Sequence, residues 1–131
     1  MPGVCAKALS TPPYCAPLLL VTPEHNNALP GVFKNAIDWL SRPPQDIPRV
    51  FGHHPVALMG ATPGGLGTVH AQMAWLPVVR ALGMQPWFGT PLCVSGAHQG
   101  FDASGTLLDA QIRERLQKYM TGSAAFAQRR S

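Results

Sequence analysis

The stretch PLLLVTPEHNNALPGVFKNAIDWL, residues 17–40, joins a short apolar run, a polar turn and an amphipathic segment. Its run Leu18–Val21 is apolar without alternation, which predicts a strand covered on both faces, as in a parallel sheet. The polar turn at 24–29 is followed by Pro30, a residue well suited to the first turn of a helix because no amide donor is needed there. From Pro30 to Leu40 the apolar residues share one face, so we predict strand, turn and helix.

The same alternation continues downstream. The predicted elements are strand 55–60 (PVALMG), glycine-rich loop 61–67 (ATPGGLG), helix 68–82, strand 84–88, a short strand within the loop at 92–94, and a last helix from 108 towards 126. Strands that alternate with helices are typical of an α/β fold, in which helices cover both faces of a parallel sheet. We therefore predict an α/β three-layer fold in residues 17–131, preceded by an irregular segment at 1–16.

Composition limits the classes of partner. The chain has 131 residues, of which 46% are hydrophobic, and its net charge is +4 from 10 basic and 6 acidic residues. It contains no dense basic run and few aromatic residues, so we expect no nucleic-acid partner, whereas an anionic ligand such as a nucleotide is favoured. Three widely spaced cysteines without a C-x-x-C pair are typical of a reducing compartment, and we expect a cytoplasmic protein.

Several other classes are not supported by the motifs. No apolar run approaches the roughly 20 residues of a membrane-spanning helix, so no membrane partner is expected. The adjacent His53 and His54 have no carboxylate nearby in sequence, and we predict no metal site. Ser95, His98 and Asp102 are residue types of a hydrolase triad, but the G-x-S-x-G elbow is missing.

Two loops remain as candidate ligand sites. In a parallel sheet, ligands lie outside the carboxyl ends of the strands, where loops 22–28 and 61–67 are expected. Glycines in the second loop would let a ligand approach the backbone closely. Glu24 beside His25 is compatible with acid–base chemistry, or else Glu24 faces solvent or contacts the following helix. Each signal alone is weak, because glycine-rich turns are commonly structural.

Taken together, the two loops resemble a known family. The segments VTPEHN at 21–26, PG at 30–31 and KNAIDW at 34–39 resemble the T-P-E-Y-N…P-G…K-N-A-I-D-W signature of NAD(P)H-dependent FMN reductases. These are flavodoxin-like enzymes that include quinone, chromate and azo-dye reductases. The loop GATPGGLG at 60–67 resembles the family's second flavin loop. The stretch from Phe101 to Asp109 resembles its F-D…G-x-L-x-D stretch.

The resemblance implies an enzyme in which FMN takes hydride from NADPH or NADH and reduces a quinone or another small-molecule acceptor. It implies no catalytic acid or base and suggests a homodimer or homotetramer. It also assigns residues that would line the flavin ring from the two loops. The cofactor-binding residues so implied are Pro23, Glu24, His25, Asn26, Thr62, Gly64, Gly65 and Gly67.

The sequence departs from the family pattern in several places. His25 stands where tyrosine is usual, Thr68 where a second glycine is usual, and His70 where arginine is usual. Residues 1–16 contain no G-S-x-R-x-x-S phosphate loop, so we expect an N-terminally truncated flavodoxin-like fold that retains the equivalents of strands 3-4-5. Two alternatives therefore stay open. One is a remnant with weak or no flavin binding, and the other is an interaction module that pairs its exposed strand edge with another chain.

Overall fold

The computed structural model describes residues 17–129, and the segment predicted to be irregular, residues 1–16, lies outside them. The described elements follow one another in the predicted alternation. They are β1 (Leu18–Val21), α1 (Gly31–Leu40), a 3-10 turn (Pro44–Asp46), α2 (Ile47–Val50), β2 (Pro55–Ala61), α3 (Val69–Ala81), β3 (Gln85–Pro86), β4 (Leu92–Val94), a second 3-10 turn (Ala97–Gly100) and α4 (Ala110–Gln128).

The sheet is parallel and has β2 at its centre. On one side β1 pairs with β2, with Leu18 opposite Val56. On the other side β3 and β4 pair with successive parts of β2, so that Pro86 lies opposite Val56 and Cys93 opposite Gly60. The strand predicted at 84–88 is thus limited to two residues. The amides of Gln85 and Trp87 donate to the His54 and Val56 carbonyls at 2.9 and 2.8 Å, so Pro86, which has no amide, occupies the position between these two bonds.

Two apolar clusters lie on opposite faces of this sheet. One contains Leu20, Val56, Ile37 of α1, and Trp75 and Val79 of α3. The other contains Ala57, Leu92, Val94, Ala97 and Tyr119 of α4. Helices on both faces of a parallel sheet form a three-layer α/β fold, which confirms the predicted fold class.

The expectation that β1 is covered on both faces is wrong. Leu20 is buried, but Leu19 is 40% exposed and Val21 is 53% exposed. Both lie on the α4 face of the sheet, where α4 packs on β2 and β4 and leaves β1 open. Within residues 17–129, β1 also pairs on one side only, so it forms the hydrophobic edge that the resemblance implied.

The buried face of α3 agrees with the sequence pattern only in part. The apolar spacing predicts that Met73, Leu76, Val79 and Leu82 point inwards. Val79 and Leu82 are buried, but Met73 is exposed, and Ala71 and Trp75 are buried in addition. Ala71, Trp75 and Val79 follow one another at four-residue spacing and so lie along one face of the helix. This face of α3 contacts the loop that follows β1, as described below.

Candidate cofactor site

The two candidate loops leave the carboxyl ends of adjacent parallel strands and meet at their bases. Loop 22–28 follows β1 and loop 61–67 follows the body of β2. Gly60, at the end of β2, lies between them. A Cβ atom there would lie 2.3 Å from the Thr22 carbonyl oxygen and 2.2 Å from the Thr68 hydroxyl oxygen, so only glycine fits. The prediction that both loops leave the carboxyl ends of parallel strands is therefore confirmed.

Thr22 fixes the base of the first loop. Its amide donates to the Met59 carbonyl at 2.8 Å, which continues the pairing of β1 with β2. Its hydroxyl donates to the Pro23 carbonyl at 2.8 Å and accepts from the indole Nε1 of Trp75 at 3.1 Å. Both side chains are buried, so this loop begins from a fully paired polar group inside the core.

The tip of the first loop is a tight turn. His25 and Ala28 exchange two backbone hydrogen bonds of 3.0 Å, and the residues between them, Asn26 and Asn27, have φ angles of 50° and 59°. A two-residue turn with both φ angles positive is the type I′ geometry, for which asparagine is well suited. His25 and Asn26, two of the implied cofactor-binding residues, are consequently held on an exposed, ordered turn.

The second loop is anchored to the segment after β4. The amide of Thr62 donates to the Val94 carbonyl at 2.9 Å, and the Thr62 carbonyl accepts from Ala97 at 3.0 Å. The Thr62 hydroxyl accepts from the amide of Gly64 at 3.2 Å, and the Gly64 carbonyl accepts from Gly96 at 3.2 Å. Sequence reasoning missed this third segment, whose signal was the glycine at 96, two positions after the end of a short apolar strand.

The three glycines of the second loop have different surroundings. A Cβ at Gly65 would meet nothing within 4 Å, and one at Gly64 would meet only the Thr62 hydroxyl at 3.6 Å. Gly67 has a φ of +58°, and a Cβ there would lie 2.7 Å from the carbonyl carbon of Cys93. Gly64 and Gly65 thus leave open surface beside the backbone, whereas Gly67 is required by the chain's close passage over β4.

A carboxylate links the first loop to the helix that follows the second loop. Oε2 of Glu24 accepts from the amide of Ala71 at 3.0 Å, and its Oε1 lies 3.8 Å from Nδ1 of His70. The side chain of Glu24 is 10% exposed. Glu24 therefore neither faces solvent nor contacts the helix that directly follows it, as we had considered, but contacts the first turn of α3. Because that amide is engaged, it is not offered to a phosphate group.

Cys93 and Arg115 lie beneath the second loop. Cys93 is partly buried, and this burial raises the pKa of its thiol although Arg115 lies nearby. Arg115 itself donates to the Cys93 carbonyl at 3.1 Å.

The residue types of a hydrolase triad do not form one here. Asp102 is bonded to Ser104 and Thr106 rather than to His98. Among residues 17–129, no three His, Cys, Asp or Glu side chains are grouped as a metal site would require.

The missing side chains at Gly64 and Gly65 leave space beside the second loop, where an added Cβ would meet no atom closer than 3.6 Å. This space is compatible with the close approach of a flat heteroaromatic cofactor to the loop. No helix in the part of the chain that the structure describes is long and apolar enough to cross a membrane.

Comparisons with known proteins agree with the resemblance of the loops. Residues 16–99 match the family model described as NADPH-dependent FMN reductase. The chain is 41% identical over 103 residues to an NAD(P)H-dependent FMN reductase of Pseudomonas aeruginosa, covering 79% of this chain and 54% of that protein. It is 35% identical over 113 residues to a 2-hydroxy-1,4-benzoquinone reductase of a Burkholderia species, covering 86% and 61%.

A solved structure shares the fold. It is FerB, a flavoenzyme NAD(P)H:(acceptor) oxidoreductase from Paracoccus denitrificans, with a TM-score of 0.81 and 24% sequence identity over 97% of this chain and 66% of that one. The chain thus spans between about half and two thirds of the length of the proteins it resembles. The family match covers both loops of the candidate site, and the chain belongs to the NADPH-dependent FMN reductase family.

Proposed function

We propose that this chain is an NAD(P)H-dependent FMN reductase that passes reducing equivalents to a small-molecule acceptor of the quinone type. The observation that carries the proposal is the arrangement of loops 22–28 and 61–67, which leave adjacent strands. The Glu24–Ala71 hydrogen bond attaches the first loop to α3, the helix that follows the second loop. When bound, FMN would supply the hydride chemistry, with NADPH or NADH as donor. The protein would supply position and exclude water.

The residues proposed to hold the flavin ring divide between the two loops. Space beside the backbone of Gly65 is open to a ligand, because a Cβ there would meet no atom within 4 Å. The hydroxyl of Thr62, which accepts from the amide of Gly64, fixes the conformation of this loop. From the other loop, the turn that contains His25 and Asn26 would cover one edge of the ring. The proposed cofactor-binding residues are Pro23, Glu24, His25, Asn26, Thr62, Gly64, Gly65 and Gly67.

FMN titration followed by flavin fluorescence tests the proposal directly. We expect saturable binding in the micromolar range and FMN-dependent oxidation of NADPH or NADH with a quinone present. Gly65→Val should weaken FMN binding, because its side chain occupies space in which a Cβ would meet no atom of the protein within 4 Å. Thr121→Val is the matched control, because Thr121 is an exposed residue of α4. This variant should bind FMN like the wild type. Absence of binding at high FMN would exclude the enzyme function for this chain.

We further propose that the chain assembles as a homodimer or homotetramer in the cytoplasm. Exposed apolar side chains on α1 support self-association. Trp39 is 72% exposed, and Val32, about two helical turns earlier on the same side of the helix, is also exposed. Light scattering at increasing concentration would measure the mass. Trp39→Lys should shift the assembly towards monomer, and a monomeric wild type at high concentration would contradict the proposal.

A second candidate function follows from the exposed edge of the sheet. Leu19 and Val21 are exposed on β1, and a groove of about 160 Å³ separates this strand from Met120 and Phe126 of α4. If the chain lacks flavin chemistry, this edge would serve as a strand-pairing surface for another polypeptide. Val21→Lys should then abolish association while leaving the FMN titration unchanged, which separates the two candidate functions.

A further inference from the structure

Glu24 contacts a helix that begins 45 residues later in the chain. Its carboxylate accepts a hydrogen bond of 3.0 Å from the amide of Ala71, the third residue of α3. Its second oxygen lies 3.8 Å from His70. With 10% of its side chain exposed, Glu24 is enclosed between the first loop and α3.

The first turn of α3 needs an external acceptor. Its N-cap, Thr68, has a left-handed backbone with a φ of 69° and makes no side-chain capping hydrogen bond. The hydroxyl of Thr68 instead accepts from the side-chain amide of Gln72 at 3.1 Å. The carboxylate of Glu24 therefore takes the place of a capping side chain at the amide of Ala71. A negative charge at this position is also favoured by the helix dipole.

The same helix contacts the first loop twice. Ala71 binds Glu24, and Trp75, one turn later on the same face, binds Thr22 at the base of the loop. The second loop runs directly into α3 through Gly67 and Thr68. Consequently α3 is attached to both loops, and the spacing between their tips depends on the contact of Glu24.

We propose that Glu24 is a positioning residue, whose carboxylate sets the distance between the two flavin loops by capping α3. This inference rests on the proposed function, because the loop spacing matters only if a planar cofactor lies between them. Its carboxylate would act through Ala71 and have no proton-transfer role.

Three variants test the inference by FMN titration. Glu24→Ala removes the acceptor and should raise the FMN dissociation constant about tenfold, as expected for loss of a charged hydrogen bond. Glu24→Gln retains an amide oxygen at the same place and should restore most of the affinity. Glu114→Gln is the matched control, because Glu114 is 66% exposed on α4 and pairs with Lys118 along the same helix. The FMN affinity of this variant should equal that of the wild type.

Amide exchange of Ala71, measured by NMR without flavin, gives a second readout. Exchange should be faster in Glu24→Ala and near normal in Glu24→Gln. Glu24→Asp, whose carboxylate is one carbon too short to reach the amide, should resemble Glu24→Ala and replaces it if the alanine variant does not fold. Wild-type affinity in the alanine or aspartate variant would overturn the inference.

The two readouts separate the inference from the proposed function. If the wild type does not bind FMN, the proposed function fails, whatever the exchange rate of Ala71. If the wild type binds FMN but Ala71 exchanges equally fast in the wild type and in Glu24→Ala, the positioning role of Glu24 fails and the proposed function stands.

Discussion

The indole Nε1 of Trp75 donates a hydrogen bond of 3.1 Å to the hydroxyl oxygen of Thr22, and both side chains are about 1% exposed. The contact joins residues 53 positions apart and connects the end of β1 to α3. A buried indole N–H without an acceptor is costly, so this pair fixes the position of α3 as well as the base of the first loop.

Thr22→Val should therefore destabilise the protein. The valine has nearly the shape of threonine but leaves the Trp75 indole without its acceptor, and we expect a loss of about 1–3 kcal/mol in the free energy of unfolding. Urea denaturation would measure this loss as a lower midpoint at constant slope. Thr121→Val, on the exposed part of α4, should change the free energy by less than about 0.5 kcal/mol. Equal losses in both variants would contradict the role of the hydrogen bond.

Tyr119→Phe should have the opposite outcome from Thr22→Val. The hydroxyl of Tyr119 is buried and has no hydrogen-bond partner among the described residues, while its ring packs edge-on against Trp87. Removal of an unpaired buried hydroxyl removes a desolvation cost, so the free energy of unfolding at neutral pH should stay equal or rise. A clear loss of stability would show that the hydroxyl is bonded in solution.

The same variant gives a prediction for alkaline pH. Burial raises the pKa of Tyr119 in the folded protein, so its neutral form is favoured by folding. The stabilisation is complete below the unfolded pKa of about 10 and decreases as the pH rises above it, because only the unfolded chain then ionises readily. Urea denaturation between pH 9 and pH 11, as approximate limits, should show a steeper loss for the wild type than for Tyr119→Phe. Parallel curves would contradict the shift.

Gly67 and Gly65 should respond differently to alanine. Gly67 has a positive φ, and a Cβ there would lie 2.7 Å from the backbone of Cys93, so Gly67→Ala should cost more than about 1 kcal/mol of stability. Gly65→Ala meets no atom within 4 Å and should leave the unfolding midpoint nearly unchanged. Thermal unfolding of the two variants measures the contrast. A stable Gly67→Ala variant would show that the loop has another conformation available.

The sequence predicted the order of elements because apolar runs and turn residues are local signals. The segment from Leu18 to Leu40 has its strand, turn and helix as predicted. The exposure of Leu19 and Val21 was not predictable in the same way, since it depends on which part of the sheet α4 covers. Burial on each face is a tertiary property, and an unbroken apolar run reports only the capacity to be buried.

In the candidate site, too, local signals predicted the elements but not their tertiary contacts. The sequence identified both loops and the residues in them, because glycines and prolines mark turns. It did not identify the partners of those residues. The acceptor role of Glu24 at Ala71 and the bond between Trp75 and Thr22 join residues about 50 positions apart, and no spacing rule predicts such pairs. For α3, the burial of Val79 was predicted, but the four-residue spacing that adds Ala71 and Trp75 to the same face was a usable signal that we missed.

Asp102 provides a test at acid pH. Hydrogen bonds from the Ser104 hydroxyl and the Thr106 amide lower the pKa of its carboxyl, and these bonds close the turn before α4. The charged form is therefore favoured by folding. Its stabilisation is present above the unfolded pKa of about 3.9 and is lost as the pH falls through the lower folded pKa.

Two variants test the role of Asp102 in this turn. Ser104→Ala should raise the pKa of Asp102 towards its ordinary value in an NMR titration, because the largest cause of the shift is removed. Asp102→Asn should be less stable than the wild type near neutral pH, where the carboxylate is charged. The two proteins should converge in strongly acidic solution, where the wild-type carboxyl is protonated and resembles the amide. A difference that is independent of pH would mean that the charge of Asp102 does not stabilise the turn.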